Sequence, residues 1–154
     1  MIKKLELKIP PPLLMATIAV VMFFIKHTFI KASFDLPFHM YLAILFLVLG
    51  GVVSFLGNRA FIKAGTTISP FSPEKASQLI TDGVYSVSRN PMYLALALMF
   101  MGWAFFLSNV ICFAGPLALM IYLNRFQISL EEEAMEEKFG EEYLDYKKRV
   151  RRWI

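Results

Sequence analysis

Long apolar runs parted by short polar breaks dominate the pattern along this chain. Four stand out: PPLLMATIAVVMFFIKHTFI at about 11–30, MYLAILFLVLGGVVSFLG at 40–57, PMYLALALMFMGWAFFL at 91–107 and VICFAGPLALMIYLNRF at 110–126. A helix needs about 20 apolar residues to span a bilayer, with roughly 17 as the lower bound. The pattern therefore predicts an all-α integral membrane protein with about four transmembrane helices. The last two runs are short, and only Ser108 and Asn109 separate them, which predicts a tight helical hairpin.

Two polar stretches interrupt the runs. The connection 58–90 contains GTTISPFSPEKASQLITDGVY, where turn residues alternate with apolar ones and Pro70 and Pro73 stiffen the path. It is expected to fold back over the mouth of the bundle, since long loops in compact domains are often functional. In the tail, 127–154, Met135, Phe139, Tyr143 and Tyr146 form one apolar stripe at helical spacing. Its acidic residues come first and its basic ones last, in keeping with the helix dipole. The tail is expected to be an amphipathic helix, weakened locally at Gly140, lying on the membrane or packed under the bundle. The whole of 1–154 reads as a single domain.

Composition agrees, with 57% hydrophobic residues against about 45–50% in ordinary soluble domains. Charge adds direction. Of the 16 Lys and Arg, all but Lys26 and Lys31 fall on the side shared by both termini and the 58–90 loop. By the positive-inside rule that side is cytoplasmic, as in a bacterial inner membrane or its equivalent. The basic end, YKKRVRRWI, lies beside a span, so its expected partner is the anionic bilayer surface and not nucleic acid. No small-residue cleavage site closes the first apolar region, so it reads as a span and not as a removable leader.

Some chemistries find no support. The single cysteine, Cys112, sits inside an apolar run and offers neither a disulfide framework nor a thiolate metal site. His27 and His39 flank a connection containing Asp35, but no spacing fixes them as zinc ligands, and no metal is expected. Walker, G-x-S-x-G and HExxH patterns do not occur.

The remaining candidate chemistry sits in two islands. In DGVYSVSRNPMY, Asn90 is a favoured N-cap and Pro91 a favoured first helical residue, with Arg89 able to reach lipid headgroups and Tyr85 and Tyr93 able to sit in an interfacial belt. The same helix start, with free N–H groups beside Arg89, also suits an anionic ligand group, and the tyrosine faces suit a cation. In Glu131-Glu132-Glu133, Ser129 and Glu132 match a capping box. Glu131 has no such local task, and a carboxylate there can accept hydroxyl hydrogen bonds from a ribose, as in dinucleotide sites.

Together, LITDGVYSVSRNPMYL and EEEAMEEKFGEEYLDYKKRV resemble the paired motifs of the isoprenylcysteine carboxyl methyltransferase family, relatives of membrane phospholipid methyltransferases. Their order, their separation and the hairpin between them match over about 58–154. The resemblance implies an integral-membrane enzyme that uses S-adenosylmethionine without a Rossmann domain. It implies cofactor contacts from Ser77, Gln78, Leu79, Ile80, Tyr85, Arg89, Asn90, Pro91, Met92, Tyr93, Glu131 and Glu132, with Arg89 and Asn90 as positioning groups. The methyl acceptor would be a lipophilic carboxylate or thiol that enters from the bilayer, and neither needs a general base. Two positions depart from the pattern. Asn90 replaces the His of the eukaryotic members, and Gln127 stands where they place a substrate-binding Arg, with Arg125 two residues earlier.

Overall fold

The computed structural model describes residues 11–65 and 78–154, with side chains from Leu13 onward. Among these residues the regular elements are all helical. They are α1 (Pro11–Thr28), α2 (His39–Ala64), α3 (Pro91–Leu107), α4 (Ala114–Leu123), α5 (Ser129–Phe139) and α6 (Glu141–Arg149). Single 3-10 turns at Ile30–Ala32, Gly83–Ser86 and Val110–Phe113 link them, and a π-turn over Asn124–Ile128 joins α4 to α5. One isolated bridge pairs Ser33 with Asn109.

The helices α2 and α3 pack backbone to backbone because small residues recur where they cross. Ala43, Gly50 and Gly57, seven residues apart, are the buried positions of α2. A Cβ at Gly50 would lie 2.7 Å from Met99 Cγ and 2.8 Å from the Ala95 carbonyl. One at Gly102 would lie 2.8 Å from the Ala43 carbonyl. In lipid, where apolar burial drives no association between helices, such close approach is what holds a pair together.

On its other faces α2 presents large apolar side chains outward. Leu47 is 56% exposed, Val48 55% and Phe55 62%. In water so wide an apolar surface would promote association; against acyl chains it is the ordinary outer face of a membrane protein. Met22 of α1, Phe100, Ala104 and Leu107 of α3, and Cys112, Leu119, Leu123 and Ile128 beyond the hairpin form the buried core. Gly115 leaves the space that the Met22 side chain fills.

The hairpin is present, and a buried asparagine fixes its tip. Ser108 ends α3 with φ 51°. The Asn109 Oδ1 then accepts from the Ile111 N–H at 3.0 Å, capping the next helix, while its Nδ2 donates to the Phe29 carbonyl at 2.9 Å. The end of α1 is thereby tied to the hairpin.

Two helix boundaries differ from the expected ones. The second apolar run was expected to stop near 57, yet α2 continues through Asn58, Arg59 and Lys63 to Gly65, which caps it with φ 63°. These residues are compatible with a helix, and their charge ends the apolar window without ending the helix. The fourth run does not stop at 126 either, because one helical path runs from Val110 to Phe139. By length and composition, His39–Ala64 and Val110–Phe139 are able to cross a membrane, whereas Leu13–Thr28 and Pro91–Leu107 are apolar but shorter. The tail is two helices, since Gly140 takes φ 52° and ψ −126° and turns α6 away from α5. The expected apolar stripe survives the break, with Tyr143, Tyr146 and Val150 packed against Leu79, Met135 and Phe139. The middle of the 58–90 path, residues 66–77, lies outside the described residues, including Pro70 and Pro73.

Candidate functional site

Arg89 lies just before α3, where the sequence left two uses open. The structure gives its guanidinium to the protein itself. Nε and Nη2 donate to Glu132 Oε1 at 3.3 and 2.7 Å, and Nη1 donates to the Lys147 and Val150 carbonyls at 3.3 and 2.6 Å. These four bonds leave little of the five-donor fork for lipid headgroups or a ligand. Arg89 is a clasp between the start of α3, α5 and the end of α6.

Glu132 is the centre of that clasp. It also receives Arg152 Nε on Oε1 at 3.1 Å and Arg152 Nη2 on Oε2 at 2.6 Å. Burial would lift the Glu132 pKa, but the hydrogen bonds from Arg152 and Arg89, with their charges, hold it below the usual glutamate range. The expected capping box is absent because α5 does not begin a new helix there. The helix arrives from α4, and Ser129 Oγ donates to the Asn124 carbonyl at 2.6 Å across the π-turn.

The C-terminal segment completes the clasp. The Arg89 N–H donates to the Arg151 carbonyl at 3.0 Å. Ser88 Oγ and Asn90 Nδ2 both donate to the Arg152 carbonyl, at 3.3 and 3.2 Å. Trp153 Nε1 donates to Asn124 Oδ1 at 3.2 Å. Of the two places expected for the tail, Arg152 and Trp153 take the one under the bundle, while Lys148, Arg149 and Arg151 stay exposed. Ser88, Asn124, Arg152 and Trp153 were not among the expected site residues. The sequence carried no signal for them, because Glu132 already read as half of a capping box.

Asn90 sits at the N-cap position of α3 without capping it by its side chain. Its Nδ2 is drawn to the Arg152 carbonyl, and its own N–H donates to Ser88 Oγ at 3.1 Å. Pro91 has no N–H, so Met92 and Tyr93 carry the uncapped donors of the first turn.

Tyr93 joins the two sequence islands. Its hydroxyl donates to Glu131 Oε1 at 2.5 Å, and Gln127 Nε2 donates to the same oxygen at 2.7 Å. Among the described residues no hydrogen bond is made to Glu131 Oε2. Burial raises the Glu131 pKa, the Tyr93 and Gln127 bonds oppose the rise, and the Glu132 charge adds to it. Tyr85 belongs to the same neighbourhood. Its phenol pKa is raised first by burial, then by the charges of Tyr146 and Glu131. Its ring meets Phe61 of α2 edge-on at 5.5 Å between centroids, and its carbonyl accepts from the Tyr146 hydroxyl at 2.6 Å. The Tyr143 phenol is pushed up to about 12, chiefly by burial.

The other expected residues fall nearby or apart. Leu79 packs on Tyr143, Tyr146 and Val150, Ile80 is half-buried and Gln78 is exposed. Ser77 lies outside the described residues. Gln127 is buried and faces Glu131, whereas Arg125 is exposed in the π-turn. Arg125 and Gln127 therefore do not present themselves as a pair. His27 packs on Phe23 and His39 Nδ1 meets the Leu36 carbonyl at 2.7 Å. Among the described residues no three His, Cys, Asp or Glu side chains group as metal ligands. An open cleft of 370 Å³ lies on the outer side of the Gly83–Ser86 turn, lined by Leu56, Arg59, Ala60, Lys63, Gly83, Val84 and Val87, and does not include Tyr93 or Glu131.

Comparison with known proteins adds the family. A family model for phospholipid methyltransferase matches residues 38–142. The chain is 31% identical over 111 residues to the protein-S-isoprenylcysteine O-methyltransferase of Schizosaccharomyces pombe, covering 68% of this chain and 44% of that protein. It is 30% identical over 110 residues to protein-S-isoprenylcysteine O-methyltransferase B of Arabidopsis thaliana, covering 68% and 53%. An uncharacterized protein of Haemophilus influenzae is 43% identical over 63 residues, 41% of this chain and 100% of the relative. The chain thus spans about half, or less, of each of these two enzymes. No solved structure matches it. The matched region holds the Tyr93–Glu131 junction and the Arg89–Glu132 pair, and the chain belongs to the phospholipid methyltransferase family, with similarity to the isoprenylcysteine O-methyltransferases.

Proposed function

We propose that this protein transfers a methyl group from S-adenosylmethionine to a lipophilic acceptor at the cytoplasmic face of a membrane. The observation that carries the reading is the meeting of Tyr93 with Glu131, residues 38 apart in sequence, at 2.5 Å. Four spans are proposed, the two shorter helices being about 26 Å long at 1.5 Å per residue against roughly 30 Å of hydrocarbon. Modest thinning of the bilayer accommodates that difference. The charge bias then puts both termini and the Arg89–Glu132 clasp in the cytoplasm.

The residues suit the cofactor by donor type. Glu131 offers Oε2 to the ribose hydroxyls, while Tyr93 and Gln127 steady the carboxylate. Tyr85 and Tyr93 offer aromatic faces to a sulfonium or an adenine. The uncapped N–H groups of Met92 and Tyr93 suit the carboxylate end. Leu79 and Ile80, with Gln78 before them, border the same region. Arg89, Asn90 and Glu132 act by position, because their hydrogen bonds hold α3 against α5 and α6. When bound, the cofactor supplies an electrophilic methyl on sulfur. The protein's share is alignment and the exclusion of water.

Gln127 favours a second reading for the acceptor. It carries no charge and faces Glu131, so it gives no guanidinium to an acceptor carboxylate. A phospholipid amine acceptor, the N-methyltransferase reading, agrees with the family description. Incubating purified protein with methyl-labelled cofactor and total lipid extract, followed by mass spectrometry, decides between them. A labelled prenyl-type ester or thioether supports the first reading and a labelled phospholipid headgroup the second. No labelled lipid from any extract points instead to a membrane adaptor.

A further inference from the structure

The last two turns of α2 carry features that methyl transfer does not use. Arg59 and Lys63, four residues apart, line one side of the 370 Å³ cleft, and Gly83, Val84 and Val87 form the opposite wall. Leu56 and Ala60 complete the floor. Neither Arg59 nor Lys63 forms an ion pair among the described residues, whereas Arg89, Lys147, Lys148 and Arg152 all do. Two cations over an apolar floor fit an anionic amphiphile.

The position of the cleft says which amphiphile. At 26 residues, α2 is about 39 Å long, longer than a hydrocarbon core of roughly 30 Å, so its basic end emerges at headgroup depth. Below the cleft the outward face of α2 stays apolar, with Leu56 42% exposed, Phe55 62% and Val52 50%. A free anion would leave Leu56, Val84 and Val87 uncovered. A lipid with an anionic head covers them with its glycerol and upper acyl carbons.

We infer that this cleft is a binding site for the phosphate headgroup of an anionic glycerophospholipid, held by Arg59 and Lys63 at the end of α2. The site backs onto the Tyr93–Glu131 region, since the Gly83–Ser86 turn sends Tyr85 inward and lines the cleft with Val84. Headgroup binding therefore braces the turn that positions Tyr85. The inference needs the protein to sit in a membrane, but it does not depend on methyl transfer.

The test uses purified full-length protein in a zwitterionic detergent, titrated with short-chain phosphatidylglycerol and followed by native mass spectrometry. Saturable binding is expected, falling roughly tenfold or more in the Arg59→Gln/Lys63→Gln double variant. Ala60→Phe, which fills the floor and keeps both charges, should weaken binding similarly. Lys31→Gln at the opposite end should leave it unchanged, and phosphatidylcholine of the same chain length should bind far more weakly. Equal affinity in the double variant overturns the inference, as does equal binding of phosphatidylcholine. Displacement by inorganic phosphate at matched concentration also overturns it, because the site would then recognise the free anion.

Discussion

Glu131 and Glu132 are neighbours in sequence with opposite electrostatics, and the contrast sets what each substitution should do. Glu132 has its pKa lowered, so its contribution to stability is complete above the ordinary glutamate range and is lost as pH falls through its lowered value. The Glu132 contribution, read as the difference in thermal midpoint between the unaltered chain and Glu132→Ala, should hold from neutral pH down to about pH 5 and then decline. Glu132→Ala leaves two guanidiniums without their shared carboxylate, and a loss of about 3–5 kcal/mol is expected in denaturant titration. Glu131 has its pKa raised, so its charged form costs stability once pH rises through that value. Glu131→Gln should therefore raise the midpoint at neutral pH while weakening cofactor binding. A lowered midpoint in that variant would contradict the assignment. For the same reason, cofactor affinity of the unaltered protein should fall with pH below the raised Glu131 pKa, because protonation removes a ribose acceptor.

At the scale of elements, the close α2–α3 crossing and the π-turn carry the arrangement. Gly50→Leu forces a side chain into space where Met99 and the Ala95 carbonyl stand within 3 Å. It should destabilise by about 1–3 kcal/mol or more, while Gly51→Ala, with nothing within 4 Å, should be neutral in the same melt. Removing one residue from Asn124–Ile128 should rotate α5 by about 100° relative to α4, taking Glu131 from Tyr93 and Glu132 from Arg89. The apolar runs made the helices and hairpin legible, since length and hydropathy are local properties. The ends of α2 and α4 were not, because charged residues close an apolar window without breaking a helix. The π-turn was equally hidden, and so were the bonds that Trp153 and Arg152 make to Asn124 at its start.

Across the whole molecule, parts far apart in sequence meet around Tyr93 and Glu131. Sequence brought Tyr93 and Glu131 into view as separate motifs, and the fold joins them. The part of the C-terminus was illegible, because a basic tail beside a span reads as a surface anchor until its carbonyls are seen on Arg89 and Asn90. Truncation before Arg151 should release the start of α3, with circular dichroism retaining most helix while cofactor affinity drops. The central claim, that the two islands form one S-adenosyl site, is tested most directly by calorimetric titration of purified protein with S-adenosylhomocysteine. Saturable binding by the unaltered chain is expected, with at least about tenfold weaker binding by Glu131→Gln, consistent with a lost charge-assisted hydrogen bond. Tyr93→Phe should fall between them. Absence of binding by the unaltered chain, or equal affinity in all three proteins, would contradict it.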